Sequence, residues 1–237
     1  MSEVSMERSA RPGVNRARRA ELAESGRVEA FTDGVLAIAI TLLVLDLHPP
    51  TRRDAMLHQL LHQWPVYIAY LATFIYIGVI WVNHHQLFTR IARVDTGLLW
   101  RNLAMLLTTS VLPFPTAVLG TAFQRGSRSD QTAALVFYAL VAAATALTWL
   151  ALFHYLSANG RLLTDDMSTG FFAQERRRAL IGIGTYLISG SVALWQPVAG
   201  LILCSTLPIF YGATSGGIRT RPALSSTSTA RPRRTRP

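Results

Sequence analysis

Lysine is absent. All 23 basic residues of the 237-residue chain are arginine, which reflects coding bias rather than a function. Charge of either sign is scarce: the ionised residues make up 15% of the chain, against ~25% in soluble domains. The single cysteine, Cys204, sits inside an apolar run, so an intrachain disulfide is excluded and the redox compartment cannot be read. No small-residue cleavage site follows the first apolar run, which itself comes after a long polar segment; the run is expected to stay as a signal anchor. No nucleophile motif and no convergent set of His, Asp and Glu is present, so no enzyme is expected. No internal repeat is visible, which counts against the inverted architecture of many secondary transporters.

What the chain does contain is long apolar runs. Half of it is hydrophobic and the mean hydropathy is +0.29, the profile of an integral membrane protein. We read an all-α fold of six transmembrane helices, at about 29–47, 65–88, 98–119, 132–156, 179–194 and 197–211. Breakers delimit them. His48-Pro49-Pro50 stops the first, Pro113 and Pro115 should kink or end the third, and Trp195-Gln196-Pro197 offers a turn between the last two. A re-entrant hairpin is the alternative for those two. Residues 1–26 form a polar, Arg-rich tail, with a short helix expected over 16–25. Residues 27–211 form the membrane domain, and 212–237 a disordered Arg/Ser/Thr/Pro-rich tail.

Six spans put both termini on one side. Nineteen arginines fall in the two tails and the loops of that side, against four on the other. The bias predicts a multi-pass protein of the cell membrane with both termini cytoplasmic. It also gives the basic excess an origin other than nucleic acid, which is not an expected partner. His58 and His62 share a helix face, and Asp165-Asp166 is acidic, but neither has further ligands in reach along the sequence. No metal site is expected.

The first span carries the most information. From Phe31 to Leu47 it runs roughly 26 Å as a helix, close to the ~30 Å hydrocarbon core of a bilayer. At ~100° per residue, Phe31, Gly34, Ile38, Leu42 and Leu45 fall on one stripe, with Thr41 at its edge and Arg27 below it. Taken alone, such a stripe is most often helix packing. Thr32 and Asp33 point away from it. Asp33 lies inside the apolar segment, where an ionisable residue is costly and usually functional.

Arg27-x-x-x-Phe31-Thr32-Asp33 resembles the Arg-x-x-x-Phe-Ser-Asp signature on the first helix of the endosomal/lysosomal potassium channel family, the transmembrane protein 175 family and its bacterial relatives. The run Gly34 to Leu42 is similar to that family too, and a weaker similarity extends to about Gly120. Thr32 departs from the usual Ser, keeping the hydroxyl and adding a methyl.

The resemblance implies a homotetramer whose first helices line a central pore. The pore face would be Ile38, Thr41, Leu42 and Leu45. It also implies a network in which Trp81, His84 or His85, and Asn102 hold Arg27, Thr32 and Asp33. Physically, Asp33 needs such partners, since a buried unpaired charge costs several kcal/mol. The implied activity is potassium-favouring cation conduction across the lipid bilayer, with potassium the permeant ion and no cofactor. The Thr-Val-Gly-Tyr-Gly carbonyl filter of ordinary potassium channels is missing, so apolar rings would serve instead. A proton-coupled transporter using Asp33 and His84 or His85 is the alternative reading.

Overall fold

The computed structural model describes residues 12–49, 55–164 and 169–215, and these are helical apart from short connections. In chain order, α1 spans Pro12–Leu42 and runs into a 3-10 turn at Leu43–Asp46; α2 is Met56–His62, α3 Trp64–Phe88, α4 Thr96–Val111 and α5 Pro113–Arg125. After these come α6 at Arg128–Ala158, α7 at Thr169–Ala193 and α8 at Pro197–Ser215. Among the described residues, four stretches are long and apolar enough to cross a bilayer: Glu24–Asp46, Trp64–Phe88, Thr96–Arg125 and Arg128–Ala158. The chain is therefore a multi-pass, mostly helical membrane protein.

Two elements differ from the sequence reading. α1 starts at Pro12, so the short helix expected over 16–25 begins four residues earlier and runs unbroken into the first span. Its 31 residues make a rod of about 46 Å, longer than a bilayer core. α7 starts at Thr169, ten residues before the apolar run begins. Hydropathy ends that run at the charges Glu175 to Arg178, but the helix continues through them. Arg178 Nη1 donates to Glu175 Oε1 at 3.0 Å along one face of the helix, a spacing that supports a helix rather than breaking it. Residues 1–11, the tail beyond Ser215 and the Asp165-Asp166 pair lie outside the described residues.

The proline pair interrupts the helix for one residue without ending the span. α4 stops at Val111 and α5 starts at Pro113 with Leu112 between them. Pro113 cannot donate to Thr109 O, and the Leu112 amide takes that carbonyl at 3.1 Å instead. Thr108, Thr109 and Ser110 do not rescue it: their hydroxyls bond carbonyls three or four residues back.

α6 is the centre of the bundle and packs on α4, α5, α7 and α8, while α3 packs on α5 and α8. Small residues allow the close approaches. Ala139, Ala142 and Ala143 of α6 are buried, and α8 meets α6 and α7 at Gly200. Hydroxyls stitch the interior in one direction. Thr116 donates to Leu112 O, so its oxygen accepts from Thr73 at 2.9 Å; Thr73 in turn accepts from Tyr138 at 3.0 Å. Ser189 donates to Gly200 O at 2.7 Å. Every one of these buried hydroxyls has a partner, as an interior away from water requires.

One end of the bundle is clamped. Loop 89–95 and loop 159–164 meet in an isolated antiparallel bridge between Ile91 and Leu163. Asp95 caps α4 by accepting from the Leu98 amide at 2.8 Å, and both its oxygens accept from the Tyr155 hydroxyl. Arg101 lies over the Tyr155 ring at 3.9 Å, and Arg161 approaches Asp95 at 3.6 Å. Burial pushes the Asp95 carboxyl up, but these donors and cations together outweigh it and hold the group below the usual carboxylate range.

Candidate functional site

α1 packs on the edge of this bundle, against α3 and α4. Its two faces differ in kind. Thr32, Leu36, Ala39 and Leu43 recur at helical spacing and are buried against those helices. The opposite face is uncovered. Ile38 is 60% exposed and Leu45 68%; Phe31, Gly34, Thr41 and Leu42 are exposed with them. The stripe read from the sequence is thus one continuous, unpartnered face over four turns. Thr41 keeps a polar atom on it. The Thr41 hydroxyl donates to Ile38 O at 2.9 Å, so its proton is committed to the backbone and its oxygen lone pairs remain as an acceptor.

The buried face is fastened by two sets of side-chain hydrogen bonds. In the inner set, Asn102 Nδ2 donates to Thr32 Oγ1 at 2.8 Å. That leaves Asn102 Oδ1 to accept from His84 Nε2 at 3.1 Å, which fixes the proton of His84 on Nε2. All three side chains are buried. The His84 ring stacks on Phe88 with centroids 4.1 Å apart, and its Nδ1 is buried without a hydrogen-bond partner among the described residues.

The outer set is a ladder of two rungs. Trp81 Nε1 donates to Asp33 Oδ1 at 3.0 Å, and one turn further His85 Nδ1 donates to Glu29 Oε1 at 2.7 Å. Trp81 and His85 stack on each other with centroids 6.2 Å apart. The geometry is dictated by periodicity: Glu29 and Asp33 are four apart on α1, Trp81 and His85 four apart on α3, so two antiparallel helices bring both pairs into register.

Of the residues named from sequence, the structure brings Thr32, Asp33, Trp81, His84 and Asn102 together. His85 joins them through Glu29, which sequence reasoning missed. Its signal was the spacing of four from Asp33, opposite an equal spacing of Trp81 and His85. Arg27 is exposed and hydrogen-bonds none of the five. Phe31 lies on the exposed stripe. Asp33 and His84 do not touch: one is held by Trp81, the other by Asn102. A proton relay between them has no direct contact to run through.

Such an arrangement sets the rotation of α1 about its own axis. Hydrogen bonds on one side of the helix determine which side chains appear on the other, and the ones that appear are Ile, Leu, Gly and a Thr oxygen.

Residues 27–113 match the family described as endosomal/lysosomal potassium channel TMEM175. A potassium channel of Streptomyces collinus is 40% identical over 202 residues, 84% of this chain and 97% of that protein. A potassium channel of Chamaesiphon minutus is 32% identical over 199 residues, covering 82% of this chain and 97% of the relative. Among solved structures, the crystal structure of a lysosomal potassium-selective channel TMEM175 homolog from Chamaesiphon minutus superposes with a TM-score of 0.71. It has 31% sequence identity and covers 81% of this chain and 98% of that one.

Proposed function

The chain belongs to the endosomal/lysosomal potassium channel family TMEM175, a family of ion channels and not of enzymes, and from that premise we propose that it conducts potassium through a pore lined by α1. Four copies, each crossing the cell membrane six times with both termini in the cytoplasm, place the exposed stripe around a common axis. The carrying observation is the uncovered apolar face of α1, a helix hydrogen-bonded to α3 and α4 from behind. One such face cannot enclose a conduit; copies around a symmetry axis can.

In that assembly Ile38, Leu42 and Leu45 form stacked apolar rings. A narrow apolar constriction gates by dewetting and admits an ion only at the cost of its outer hydration. Potassium sheds water more readily than sodium, so it passes preferentially, with modest selectivity. Thr41 sits between the Ile38 and Leu42 rings and offers oxygen lone pairs that partly replace lost water. Thr32, Asp33, Glu29 and their partners on α3 and α4 are positioning residues: they hold the rings on the axis and do not touch the ion.

The test is current through purified protein in a planar bilayer with potassium on one side and sodium on the other. A passive current reversing on the potassium side, with Ile38→Asn increasing leak or changing selectivity, supports the reading. Absence of current from folded protein, together with pH-driven solute uptake into vesicles, overturns it in favour of a proton-coupled transporter.

A further inference from the structure

Away from the stripe, α3, α6 and α7 enclose a half-open groove of about 60 Å³. That is room for a string of several methyl-sized groups rather than for a globular ligand. Its walls are apolar: Ile80 of α3, Trp149 and Phe153 of α6, and Tyr186 of α7 line it. Tyr76 and Tyr186 meet at one end with ring centroids 5.6 Å apart. The opposite end, seven residues or about 10 Å along α3, is polar. There Asn83, Glu175 and Arg178 line the mouth. This mouth lies towards the bundle end where the 89–95 and 159–164 loops bridge, since α3 and α6 both finish there.

Charge at the mouth is lopsided. Glu175 is followed by Arg176, Arg177 and Arg178. Arg178 shares its guanidinium with Glu175 at 3.0 Å, and Arg176 and Arg177 are exposed. Of these, Glu175 and Arg178 line the mouth and pair with each other, while the exposed Arg176 and Arg177 beside them leave this turn of α7 net positive; the walls behind are apolar side chains and tyrosine rings. We propose that the groove holds part of one acyl chain of an anionic phospholipid from the leaflet on the side of the chain termini, with the phosphate near Arg178 and its neighbouring arginines. Apolar depth takes the hydrocarbon; a basic rim at headgroup height takes the phosphate. The site is separate from the stripe, and its test needs no current.

Native mass spectrometry of the full chain in detergent, titrated with dioleoyl phosphatidylglycerol or dioleoyl phosphatidylcholine, reads the site directly. One retained phosphatidylglycerol per chain is expected, with phosphatidylcholine lost at the same collision energy. Arg178→Gln should weaken retention about fivefold, the worth of one arginine at a membrane surface. Glu175→Gln removes the carboxylate that shares Arg178 and should strengthen retention. Ala179→Trp fills the groove from its α7 wall and should abolish it; the Glu175→Gln arm keeps the test decisive if that variant fails to fold. Equal retention of both lipids, or no change in Glu175→Gln and Arg178→Gln, overturns the proposal. So does a photo-crosslinking side chain placed at Ala179 that joins two protein chains instead of a lipid.

Discussion

α1 and α6 are each 31 residues long, and each contains a stretch apolar enough to cross a bilayer. In α6 half of the most apolar window is buried inside the molecule; in α1 only 22% is. Composition therefore does not separate the two helices, but coverage does. α6 is gripped from several sides by alanines, glycines and paired hydroxyls. α1 touches the bundle along one face, and what fixes it there is a set of side-chain hydrogen bonds on α3 and α4. A scaffold helix can be held by close packing alone. The contact face of α1 carries two sets of side-chain hydrogen bonds, and directional polar bonds set a helix's rotation more narrowly than apolar contact does.

The sharpest way to break this comparison is to make similar changes in the two regions. Gly200→Val on the scaffold side should be the most damaging. A Cβ at Gly200 would lie 2.7 Å from Leu135 Cδ2 and 2.8 Å from the Ser189 carbonyl oxygen. The carbonyl is backbone and cannot step aside, so about 3 kcal/mol of stability should be lost. Loss of the monodisperse peak, or a fall of many degrees in Tm, would report it. Should Gly200→Val fold normally, the scaffold is not packed as described.

Asn102→Leu comes next, and it acts on α1 from behind. It leaves the His84 Nε2 proton and the Thr32 hydroxyl without their buried partner, a loss of about 2 kcal/mol at ~1 kcal/mol for each unsatisfied group. Protein that survives should show altered selectivity as well as lower Tm, because α1 is then free to turn. Lower Tm with unchanged selectivity would mean that the network supports the fold but does not set the helix rotation.

How far the sequence carried this picture can be judged residue by residue. Ile38, Leu42 and Leu45 were legible because a helical period of 3.6 is a property of one segment. So were Thr32 and Asp33 as residues of the opposite face. The Glu29–His85 rung was not legible, because it depends on the register between α1 and α3, which neither segment specifies alone. The charged opening turns of α7 were missed for another reason. Hydropathy measures affinity for lipid, not helix propensity, and Glu175 to Arg178 are good helix formers. The groove at that end of the bundle needs three helices to define it and has no signature in any of them.

Asp95→Asn tests the clamped end, where a smaller effect is expected. The cap on α4 survives in part, since Asn also caps, but the charge that holds Tyr155 and Arg161 is lost. About 1 kcal/mol should go at neutral pH. The pH dependence has a definite sign. A carboxyl held below its usual range in the folded protein stabilises it above the unfolded value of ~3.9. That contribution disappears as pH falls through the lower folded value. The Tm gap between wild type and Asp95→Asn should therefore be constant from neutral pH to about 5 and close in stronger acid. A gap that widens on acidification would assign the clamp to another group.

The smallest structural effect and the most informative one coincide at Gly34→Ala. An added Cβ there meets nothing within 4 Å, in contrast to Gly200. Replacing Gly by Ala inside a helix stabilises it by about 0.5–1 kcal/mol, so Tm should stay level or rise slightly. Gly34 lies on the stripe one turn from Ile38, towards the chain terminus. If the stripe faces lipid, a methyl there is one more apolar group among many, and conduction is unchanged. If four stripes surround an axis, the same change adds a ring of four methyls to the ion path. Current should then drop while the fold is untouched. Lower conductance with an unshifted Tm distinguishes an axis from a lipid surface, which the apolarity of the face alone does not.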